Sequence, residues 1–154
     1  MSTTVAESSN PLPTAKQTIE LLAQAEAEKA SKALRQKEKA DAEKKALIDK
    51  LSKPSGISEQ EALERASDII HRAVKNGLTE VEVFRFPHVL CTDNGRAINN
   101  GMEPGWENTL TGLPKEMYGF WDRHLRPLGY KIRVEVVDFS GGVPGDIGIT
   151  LKWV

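Results

Sequence analysis

Hydrophobic and polar positions change rhythm three times along this chain. From residue 15 to residue 51 the run is dominated by Ala, Glu, Lys, Leu and Gln, with no Gly or Pro among them. These are the strongest helix formers. Thr14 stands before the run with Gln17 three residues on, the spacing of a capping box. Opposite charges recur at helical neighbours, Glu28 with Lys32 and Lys39 with Glu43. The pattern predicts one continuous helix on the order of 55 Å long, at about 1.5 Å per residue. Its larger apolar residues gather at the ends: Ile19, Leu21 and Leu22, then Leu47, Ile48 and Leu51, with Leu34 alone among alanines between them. A sustained heptad seam is missing. The expectation is a solvated helix, with a weak coiled coil or a partner-docked helix as the alternatives.

Pro54 and Gly56 break that run, and a second helical pattern starts at Ser58, with Glu61 completing another capping box. Ala62, Leu63, Ala66, Ile69, Ile70, Ala73 and Val74 fall on one face, and Asn76-Gly77 ends it. Residues 79–86 alternate like a strand and Pro87 stops them. Residues 88–113 carry turn signals, one helical turn at 96–100, and two anchoring apolar residues, Trp106 and Leu110. Pro114 opens a third amphipathic helix, ended by Pro127 and Gly129. Two cleanly alternating strands follow, Tyr130–Phe139 and Asp146–Val154, joined by a glycine-rich loop.

Alternation of this kind implies a sheet with one dry and one wet face. A strand-helix-strand step places the first two strands parallel, and the last two form a hairpin. The expected fold class is α+β: a long N-terminal charged helix followed by a two-layer, open-faced α/β sandwich with a mixed three-stranded sheet. The expected divisions are a disordered tail over 1–13, an extended charged helix over 14–53, and a small α/β domain over 54–154.

Composition sharpens that division. All nine aromatic residues and all twelve glycines lie after residue 53. A core needs large apolar side chains to offset the entropy of ordering the chain, so it belongs to the later residues. Residues 14–53 carry a charge of +3, residues 54–154 carry −3, and Glu7 brings the total to −1. No segment is basic enough to favour nucleic acid as a partner. A single cysteine fits a reducing compartment. No run reaches the length of a membrane span, and Met1–Pro13 lacks the layout of a secretory signal. The expectation is a cytoplasmic protein without membrane contact.

Candidate chemistry is sparse. His88, Cys91, Asp93 and Arg96 fall within ten residues, yet match no cysteine-enzyme spacing. Gly141, Gly142 and Asp146 sit in a loop whose backbone N–H groups suit an anion nest, although no phosphate-loop residues accompany them. His71, His88 and His124 have no metal-ligand spacing. No catalytic residue, cofactor or metal follows from the sequence. Lys131, Arg133 and Lys152 fall together on the wet sheet face.

Three functional readings result. The leading one is a non-enzymatic interaction module that engages another protein, or itself, through residues 14–53. The second is RNA or DNA binding by Lys131, Arg133 and Lys152. The third is a small-ligand or enzyme site between Cys91, Asp93 and Arg96 on one loop and Gly141, Gly142 and Asp146 on the other.

Overall fold

A computed structural model describes residues 11–154. The expected disordered tail thus falls, for residues 1–10, outside the described residues. The first helix, α1, spans Ala15–Leu51. The anticipated capping box is in place: Gln17 N–H donates to Thr14 Oγ1 at 3.1 Å and Thr14 N–H donates to Gln17 Oε1 at 2.8 Å. The chain divides into two units, residues up to Lys45 and Ala46–Val154. In the first unit the described residues are exposed throughout.

The second unit holds the core. Helix α2 (Glu59–Lys75) starts on Ser58, whose hydroxyl accepts from Glu61 N–H at 3.1 Å. Strand β1 (Glu80–Pro87) follows. A 3₁₀ turn over His88–Leu90, the short helix α3 (Arg96–Asn99) and a second 3₁₀ turn over Trp106–Thr109 lead to helix α4 (Gly112–Phe120). A π turn over Trp121–Leu125 and a 3₁₀ turn over Arg126–Leu128 prolong α4 until Gly129, at φ +96°, ends it. Then come β2 (Lys131–Val136), a small hairpin of β3 (Phe139–Ser140) and β4 (Val143–Pro144), and β5 (Asp146–Lys152). Among the described residues no helix is long and apolar enough to cross a membrane.

The α+β class stands as expected, with one correction. The three-stranded sheet has the order β1-β5-β2 and is antiparallel throughout rather than mixed. β1 and β2 do run in the same direction, but they are not neighbours, because the last strand inserts between them. Composition explains the insertion. β5 carries Ile147, Ile149 and Leu151 on its inner face, 0–4 % exposed, and the small Gly148 and Thr150 on its outer face. It therefore tolerates a neighbour on each side.

The inner face packs against the helices and the long connection. Phe86, Val134 and Ile147 meet Leu90, Cys91, Ile98, Trp106 and Leu110 in one cluster. Leu51, the last residue of α1, is 6 % exposed and joins it, with Ile48 packed alongside. The end of the charged helix thus supplies core residues. Gly112 permits this approach: its φ is +58°, and a Cβ there would run into the Leu51 carbonyl oxygen and Ser52. Ile147 is the most deeply covered of these side chains. Ile147→Ala is expected to cost about 2–5 kcal/mol by cavity formation, measured as a lower midpoint in urea unfolding with an unchanged slope.

Candidate functional site

The 91–96 loop is built for structure. Cys91 is 2 % exposed and forms an isolated bridge with Leu110. Burial pushes its thiol up to about 11, against a weaker opposing hydrogen bond with Thr109. Such a group is a thiol at neutral pH, not a nucleophilic thiolate. Asp93 spends both carboxylate oxygens on backbone: Oδ1 accepts from Gly95 N–H and Oδ2 from Ala97 N–H, each at 2.9 Å. These bonds hold the turn that starts α3. Arg96 is exposed, and it belongs to none of the ion pairs among the described residues.

His88 ties this loop to the glycine-rich one. Its backbone N–H and its ring Nδ1–H both donate to the Gly145 carbonyl, at 3.0 and 2.9 Å. Gly141 and Gly142 form the turn between β3 and β4, at φ +58° and +79°, and both are exposed. Asp146 begins β5 opposite Pro87. The two loops are thus joined at their bases through His88. The Cys91 sulfur is covered, and the Asp93 carboxylate is engaged by its own turn. Among the described residues, no group of three His, Cys, Asp or Glu converges as a metal site.

The outer sheet face brings Lys131, Arg133 and Lys152 together, as their alternation implies. Lys131 lies directly opposite Lys152. Arg133, however, forms salt bridges with Glu80 and with Glu135. Glu82 is likewise paired with Arg85 at 3.0 Å. The guanidinium at the centre of the basic group is therefore neutralised by its own sheet.

The concave surface that the sequence reading did not find lies on the inner side. A crevice of about 350 Å³ runs between α2, α4 and the sheet. Ile149 and Leu151 of β5 and Ile132 of β2 form its floor, and Met117 and Phe120 of α4 form one wall. The other wall is α2, which presents Ala62 and Ala66 before Ile69. Small residues at those two turns leave the volume unfilled. That pair of alanines, one turn apart in the first half of the apolar face, was the sequence signal for it. A second, more open depression of about 670 Å³ is lined by Trp106, Tyr118, Trp121 and Arg126, whose guanidinium lies 5.4 Å from the centre of the Trp121 ring.

Polar groups stand only at the mouth of the crevice. Glu59 Oε1 contacts Arg123 at 3.1 Å and His124 Nε2 at 3.4 Å. At that distance the histidine is a close polar neighbour rather than a conventional hydrogen-bond partner, and its buried Nε2 has no hydrogen-bond partner. Ser55 N–H donates to Glu116 Oε2 at 3.2 Å. Together these contacts pin the start of α2 and its linker to α4.

The chain matches no known family model, no curated protein and no solved structure.

His124 first, then Arg123, hold the Glu59 carboxyl below its ordinary value of 4.5. A lowered folded value means the pin stabilises the fold above about pH 4.5 and is lost as pH falls through that lowered value. The expected result is that Glu59→Gln is less stable than the native chain at pH 7. In denaturant titrations at successive pH values, that difference should shrink as pH falls below 4.5 and close as it passes through the lowered folded value. The effect is small, because the pair is exposed.

Proposed function

We propose that the chain is a non-enzymatic protein-interaction module whose crevice receives apolar side chains from a helix of a partner protein. The observation that carries this reading is the crevice itself: an unfilled apolar volume, floored by the central strand, with no nucleophile, acid or base along its floor. Its size falls in the range of about 300–1,000 Å³ usual for binding pockets.

The rim favours a polypeptide over a small charged ligand. It carries both signs, Glu59 and Glu116 with Arg65 and Arg123. A polar rim of mixed charge around an apolar centre is the composition of protein interfaces. Two helices already flank the gap, so a third amphipathic helix would find ridges on either side, as in helix-in-groove recognition. The competing readings have less behind them. A nucleic-acid face built on Lys131 and Lys152 has its central Arg133 paired internally. A reactive site at Cys91 would need a thiolate that burial opposes.

A helical peptide selected from a displayed random library against the whole chain provides the probe. Ala66→Trp fills the crevice and is expected to weaken binding by at least about 10-fold. The milder filler Ala66→Leu should give a smaller loss, while Lys152→Ala on the outer face leaves affinity unchanged. Peptides that ignore both fillers, or that follow Lys152 instead, would contradict the assignment.

A further inference from the structure

Helix α1 leaves Ile19, Leu22 and Leu34 at 67, 59 and 58 % exposed. These three residues stand on one side of the helix, at steps of three and four with Ala23, Glu26, Ala30 and Ala33 between them. Charge along the same stretch is segregated. Residues 17–28 contain Glu20, Glu26 and Glu28 and no Lys or Arg, a charge of −3. Residues 29–39 contain Lys29, Lys32, Arg35, Lys37 and Lys39 against Glu38 alone, a charge of +4.

From this arrangement we infer that α1 pairs with α1 of a second copy of the chain, antiparallel and centred near Glu28. Reversing one helix about that point sets the acidic stretch of each copy beside the basic stretch of the other. The same operation brings Leu22 of one copy onto Leu34 of the other, twice by symmetry, and Ala23 onto Ala33. Glu28 itself points to the opposite side of the helix, whereas Glu26 lies on the seam and faces Ala30 of the other copy, beside its Lys29. The alanines between the leucines let the two backbones approach closely. The overlap covers residues 17–39, about 35 Å of helix at about 1.5 Å per residue. A parallel pair would instead set each charged stretch against its like and is disfavoured. Two copies related by a twofold axis form the commonest closed assembly. The pairing stands on α1 alone and is independent of the crevice.

Sedimentation of the whole chain and directed cross-linking test it. The expected result is a monomer–dimer equilibrium below about 1 mM, weakened as salt rises. Leu22→Asp and Leu34→Asp should each raise the dissociation constant at least about 10-fold. Both sites are exposed, so the melting of the second unit should not change. Orientation comes from an oxidised equimolar mixture of chains carrying Ala23→Cys and chains carrying Ala33→Cys. The native Cys91 is 2 % exposed and leaves the reaction to the introduced thiols. The mixed disulfide should predominate. A chain that stays monomeric throughout would overturn the inference, as would a dimer indifferent to both aspartates. Disulfides joining two Ala23→Cys chains would overturn it too.

Discussion

The inner face of β5 has to be covered, and most of the second unit is arranged around that need. This strand pairs on both edges, so its backbone groups are satisfied by β1 and β2. Its three aliphatic side chains still demand an apolar neighbour across the sheet. Two different lids meet the demand. Toward Ile147 the cover comes from the 88–110 connection, whose Leu90, Ile98, Trp106 and Leu110 close it completely. Toward Leu151 the cover comes from α2 and α4, which lie far enough apart to leave the crevice. One strand thus lines both the closed core and the crevice.

Helix α1 obeys a different constraint. An isolated helix draws most of its stability in proteins from tertiary packing rather than propensity. Here Ile48 and Leu51 are anchored in the core, while the residues before Lys45 rest on capping, propensity and the bond from Arg35 to the Ser31 hydroxyl. The anticipated Glu28–Lys32 and Lys39–Glu43 pairs are not among the salt bridges of the described residues. Exposed aliphatic residues on such a helix form a second apolar surface. Its geometry differs from that of the crevice, being a convex stripe where the other is a concave floor.

Local features were legible in the sequence because their causes are local. Thr14 with Gln17 forms the full capping box that spacing implies, Ser58 caps α2 while the Glu61 carboxylate takes Arg65 instead, and Trp106 and Leu110 anchor the long connection. The alternation of β2 and β5 gave the correct faces. What could not be read depends on residues far apart in the chain. Period-2 patterning tells which face of a strand is dry but not which strands flank it, so the central place of β5 was missed. Alternation places Glu135 on the same face as Arg133, but the pairing of Arg133 with Glu80, 53 residues away, follows only from the fold. Leu51 looked like the end of a wet helix, and only Gly112 across the fold makes room for it. The crevice is a volume that two facing helices fail to fill, a property that neither helix reveals alone.

β5 is sealed by packing at Ile147 and borders an unfilled apolar volume at Ile149 and Leu151. Methyl-resolved NMR of the isoleucine- and leucine-labelled chain under xenon pressure tests it directly, since xenon enters dry apolar cavities. The Ile149, Leu151 and Ile132 methyl signals should move with saturation while Ile147 stays fixed. Signals that do not respond at all, or an Ile147 methyl that moves as far as Ile149, would contradict it.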